Sequence, residues 1–147
     1  MRVAAHRTLP ASPDAVWRVL IAWETQPSWM KDASSVRVLG AIREGPGVRL
    51  AVRTRVFHVS LFTEVLEVTG WEPASAMVIE HRSFIRGTGR WELRSADEGT
   101  EFRWSEELSL PIPLLGELAL LAYRPFLRHM MRGALEGLAA YVRSVET

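Results

Sequence analysis

Two side chains hold the best prospect of chemistry in this sequence, and both fall where hydrophobic residues alternate. Phe102, Trp104, Glu106, Leu108 and Leu110 share one parity, while Glu101, Arg103, Ser105 and Glu107 share the other. Successive strand residues point to opposite faces, so Glu106 is a carboxylate on an otherwise apolar face. Met77, Ile79 and His81 form a second such set, and Gly87, Gly89, Trp91 and Leu93 a third in the strand between. A turn at Ala96-Asp97-Glu98-Gly99 would pair Ser95 with Thr100 and set Gly89 opposite Glu106. If the connection over 83–86 is also short, His81 falls near Gly89. With neighbouring strands about 4.8 Å apart, the two backbones are then about 10 Å apart, with only glycine between them. Their side chains could meet directly or through one water.

Such a pair could act as a general acid and base. Burial disfavours an ionised carboxyl, and a nearby carboxylate favours a protonated imidazole. The plainer alternative puts both at the rim of a cavity, where they orient a ligand, or pairs Glu106 with an arginine. A one-residue slip in register would reverse every face. Other chemistries find little support. The chain has no cysteine, and His6, His58, His81 and His129 lack metal-ligand spacing. No metal or cofactor is expected. Gly87-Thr88-Gly89 is not followed by helix, so it is no phosphate loop.

The elements that must position these residues are legible. Residues 2–9 read as a strand. Ser12-Pro13-Asp14 is a helix start, with Ser12 as cap, Pro13 in the first turn and Asp14 complementing the dipole. That helix should stop near Trp23, and a second short helix should start at Thr25 and carry Pro27 and Trp29. From about 33 to 110 the period is two. Val48, Leu50, Val52, Thr54 and Val56 alternate with Arg49, Arg53 and Arg55, and a turn or bend then leads into a strand from Phe57 to Val68. Short connections between successive strands imply antiparallel hairpins. Pro111 and Pro113 end the last strand. Leu114 to Tyr123 is the most apolar stretch. Its expected role is packing over the sheet edge; a gate, a dimer surface or a membrane-touching lip are the alternatives. Pro125 should break or kink the helix, or open a fresh one. Beyond it Leu127, Met130, Met131, Ala134, Leu138, Tyr141, Val142 and Val145 form one apolar stripe opposite Arg128, Arg132, Glu136 and Arg143.

This order resembles the START-like, or Bet v 1-like (SRPBCC), superfamily of polyketide cyclases/dehydrases and lipid-transport proteins. The resemblance rests on Ala11-Ser12-Pro13-Asp14-Ala15-Val16-Trp17, Trp29, Gly45-Pro46-Gly47, Val65-Leu66-Glu67-Val68 with Glu72-Pro73, Gly99-Thr100, and Leu135 and Leu138. It spans nearly the whole chain. It implies an α+β helix-grip fold. A curved seven-stranded antiparallel sheet would wrap a long C-terminal helix, with two short helices after the first strand and a cavity between sheet and helix. Residues 1–147 would form one such domain. The residues expected to meet a ligand there are Trp29, Val52, Thr54, His81, Trp91, Trp104, Glu106, Met130, Met131 and Ala134. Trp17, Trp23 and Trp71 read as structural.

Three functions remain open. The first is binding or transport of a small hydrophobic molecule such as a lipid, quinone or polyketide. The second is a polyketide cyclase/dehydratase-like enzyme using His81 and Glu106. The third is a partner-binding module with a vestigial cavity. A fold does not choose among them. With 147 residues and a net charge of +1, there is no basic concentration of the kind nucleic acid requires. No run of about 18 apolar residues is present, so no stable membrane insertion is expected, although transient contact stays open. A cytoplasmic location is expected, as monomer or homodimer.

Overall fold

The computed structural model describes residues 1–56 and 59–146. The expected connection at Phe57, and His58 with it, lie outside the described residues. The chain enters as strand β1 (Arg2–Leu9). Ser12 then accepts a hydrogen bond from the Ala15 N–H at 3.2 Å and starts helix α1 (Pro13–Ile21). Ala15, Val16, Val19 and Leu20 turn inward on that helix. A 3₁₀ helix follows over Trp23–Ser28, starting earlier than expected, with Trp29 just past its end.

Six more strands follow: β2 (Ala33–Leu39), β3 (Arg49–Val56), β4 (Val59–Glu72), β5 (Ala76–Arg82), β6 (Arg86–Ala96) and β7 (Gly99–Ser109). They form one antiparallel sheet in the order β1-β7-β6-β5-β4-β3-β2. Consecutive strands β1 and β2 therefore lie at opposite edges, and α1 with the 3₁₀ helix spans the distance between them. Register shifts near Ala33, Thr54 and Val68 add local twist and bend the sheet. The inward face of this curve carries Leu50, Val68, Met77, Trp91 and Phe102, all buried.

Helix α2 (Leu115–Glu146) fills the concavity and packs on β1 and β7. Met131, Leu135, Leu138 and Val142 supply its buried stripe, at most 1% exposed. The helix continues through Pro125, contrary to the expected break or fresh start. Proline removes only the one hydrogen bond to the carbonyl four residues back, at Leu121.

The expected packing of the apolar run is also corrected. Gly116 and Leu120 are buried, but Leu114, Leu115, Leu118 and Leu121 are 74%, 70%, 63% and 62% exposed. A period of 3.6 residues turns one side of this run to the sheet, and no described element covers the other. Leu114 precedes the helix with a left-handed φ of 62°, a strained conformation for leucine. No helix among the described residues is long and apolar enough to cross a membrane.

Candidate functional site

The register places Gly89 opposite Glu106, as the turn spacing requires. His81, however, pairs with Gly87, two residues along from Gly89. Arg82 pairs with Arg86, and this closes the hairpin around residues 83–85. The side chains nevertheless meet. His81 Nε2 lies 2.9 Å from Glu106 Oε2, and His81 Nδ1 lies 3.2 Å from Glu64 Oε1. Trp104 Nε1 donates to Glu106 Oε1 at 2.9 Å, and Thr54 Oγ1 donates to Glu64 Oε2 at 3.3 Å. One imidazole is thus held between two carboxylates, each steadied by a second donor.

Gly89 is what makes room. A Cβ built there would sit 2.8 Å from Glu106 Oε1 and 2.9 Å from Oε2. The carboxylate therefore lies directly on the β6 backbone, and any other residue at 89 would displace it. Glu106 is 7% exposed, so it is not at a rim, and the partners found for it are His81 and Trp104 rather than an arginine.

Burial taken alone pushes the His81 pKa down. Hydrogen bonds with Glu106 and Glu64, and the charges of both, outweigh it and raise the pKa from 6.5 to about 10. His81 is accordingly an imidazolium at neutral pH, with both N–H groups donated. Tyr123 is also shifted upward, first by burial and then by the charges of Glu64 and Asp32, so its phenol stays neutral.

The cluster faces a cavity of about 130 Å³ between sheet and α2. Its wall is mostly apolar, with Leu50, Ile79, Leu108 and Leu127 among the lining residues. Of the residues expected to meet a ligand, Val52, Thr54, His81, Trp91, Trp104 and Glu106 line it from the sheet. Met130 and Met131 line it from the helix. Trp29 and Ala134 do not, which corrects that expectation. Trp29 is buried behind the wall, its ring centroid 6.2 Å from that of Trp91. Ala134 lies further along α2, in the core. Trp91 and Trp104 are cross-strand partners in T-shaped contact at 6.3 Å. Trp17 and Trp71 pack edge-on at 5.1 Å, whereas Trp23 joins the cavity wall.

Gln26, Asp32, Glu64 and Tyr123 are among the lining residues that reading the sequence missed. Glu64 was within reach, because Phe62, Glu64 and Leu66 share a parity and Glu64 pairs with inward-facing Val52. Tyr123 depended on α2 passing unbroken through Pro125. An apolar groove of about 590 Å³ adjoins the cavity and shares Phe62, Glu64, Ile85 and Tyr123 with it. Among the described residues no cluster of His, Asp and Glu has the arrangement of a metal site.

The sequence pattern described as "Polyketide cyclase / dehydrase and lipid transport" matches residues 1–143. The chain belongs to this family. No curated protein matches the chain. Solved structures share the fold. The protein TTHA0849 from Thermus thermophilus superposes with a TM-score of 0.82 at 21% identity, over 100% of both chains. ZhuI aromatase/cyclase from Streptomyces sp. R1128 gives 0.81 at 14% identity, over 97% of this chain and 93% of its own. The di-domain ARO/CYC StfQ of the steffimycin biosynthetic pathway gives 0.78 at 15% identity, over 99% of this chain and 51% of its own. At these identities the likeness establishes the helix-grip fold of this family member and leaves its ligand to its own residues.

Proposed function

We propose that this protein, acting as one domain, binds a small hydrophobic molecule between its sheet and α2. The observation that carries this reading is a largely apolar cavity with one polar cluster, Glu64–His81–Glu106, in its wall. Apolar walls supply affinity, and a few convergent polar groups fix orientation. An engineered apolar cavity of about 150 Å³ accepts benzene, so the inner space suits a ring-sized group. The adjoining groove gives room for the remainder of a larger molecule.

A second reading is an enzyme of the cyclase/dehydratase kind, favoured by the 2.9 Å contact of His81 with Glu106. In it Glu106, not the already protonated His81, takes the substrate proton, and His81 holds the carboxylate in place. The exposed leucines of α2 favour a third, partner-binding reading.

Native mass spectrometry of the purified protein, followed by organic extraction, tests the first. A co-purifying hydrophobic molecule whose affinity falls in Trp91→Ala supports cavity binding. A protein that neither retains such a molecule nor binds aromatic probes refutes it. Turnover of a bound polyketide-like substrate, abolished in Glu106→Gln, would favour the enzyme.

A further inference from the structure

The polar cluster presents a ligand with acceptors and almost nothing else. An imidazolium has two N–H donors, and both of His81's are spent, one on Glu64 and one on Glu106. A carboxylate offers about four acceptor positions. Glu106 has accepted two donors, from His81 and Trp104, and Glu64 two, from His81 and Thr54. Acceptor capacity therefore remains on both, while the cation between them has no donor left. Two carboxylates against one imidazolium leave the cluster with a net negative charge. Among the described residues lining the cavity there is no arginine or lysine. One N–H of the Gln26 amide and the Tyr123 hydroxyl are directed at the sulfurs of Met30 and Met130.

We infer that the cavity selects hydrophobic molecules whose polar end donates a hydrogen bond, a hydroxyl-bearing aromatic above all, and rejects those ending in a carboxylate. This rests on the binding role proposed above and narrows it to a ligand class. A hydroxyl entering the apolar space finds an ionised acceptor, which makes a stronger hydrogen bond than a neutral one. A carboxylate loses its hydration, meets like charge and, among the described lining residues, finds no cation with a donor to spare. A ligand of the same shape with no polar group gains the apolar contacts alone.

The test is calorimetric titration of the full chain, near neutral pH, with naphthalene, 2-naphthol and ionised 2-naphthoate. These share one apolar body and differ in the group offered to the cluster. The expected order is 2-naphthol tightest, naphthalene next, and 2-naphthoate weaker than 2-naphthol by about tenfold or more. If naphthalene binds and 2-naphthoate equals or exceeds 2-naphthol, the selectivity is refuted while hydrophobic binding stands. If none of the three binds, the binding role falls and the selectivity with it. In Glu106→Gln, checked for folding by circular dichroism, the gap between 2-naphthol and 2-naphthoate should shrink to less than about threefold, because one negative charge is gone. A folded variant with the full gap would place the selectivity elsewhere and overturn the inference. The three wild-type titrations decide the matter even if that variant does not fold.

Discussion

Raising the pH from neutrality should destabilise this protein, and His81 should be the reason. Its pKa is about 10 in the folded chain against 6.5 for an unperturbed imidazole. A raised value means that the folded state holds a proton the unfolded chain has released. The stabilisation is complete below pH 6.5 and is lost as the pH climbs toward 10. Within that window each pH unit removes about 1.4 kcal/mol. From pH 6.5 to about 9 the loss is on the order of 3 kcal/mol, a large share of the roughly 5–15 kcal/mol typical of a domain. Urea unfolding followed by tryptophan fluorescence at several pH values measures it, provided the slope against denaturant stays constant. His81→Gln supplies the reference. That variant should be less stable near neutrality, because Glu64 and Glu106 lose the cation between them, but its stability should vary little over the same window. Equal pH dependence in wild type and variant would refute the assignment of His81 as a buried imidazolium. Above pH 10 the raised Tyr123 adds a loss of the same sign, so the comparison belongs below that value.

Four further expectations concern helix α2. A Cβ at Gly133 meets nothing within 4 Å, so Gly133→Ala should raise stability by about 0.5–1 kcal/mol in the same unfolding assay. A Cβ at Gly137 would come within 2.2 Å of the Trp29 carbonyl oxygen, so Gly137→Ala should lower stability despite the better helix former. Leu118 is 63% exposed, and Leu118→Ser should change stability by less than about 1 kcal/mol. Leu138 is fully buried, and Leu138→Ala should lower stability by about 2–5 kcal/mol. Similar losses for both leucine variants would show that the first turns of α2 are covered in solution.

The parts of the protein that follow from local periodicity were legible in its residues. Alternation over Phe102–Leu110 and Gly87–Leu93 placed Glu106 and Gly89 on one face, and the short turn at 96–99 fixed their pairing. Ser12 and Pro13 marked the start of α1, and the order of elements together with phrases such as Gly45-Pro46-Gly47 pointed to the helix-grip fold and its family. What depended on groups meeting across several strands was not legible. Glu64 joins His81 only because β4 lies beside β5 in the sheet and turns that parity inward. The charge of His81 then follows from two carboxylates rather than one. Trp29 and Ala134 have the right types and spacing for a cavity wall, yet both are buried in the core outside the lining of the cavity. Gly133 and Gly137 look alike in the sequence and differ only because Trp29 packs against one of them. The same holds for the leucines of residues 114–121. Composition records that they are apolar, while only the docking angle of α2 decides which of them meet the sheet and which meet solvent. Sequence period fixes the direction of a side chain from its own element, and the tertiary structure alone supplies what stands opposite.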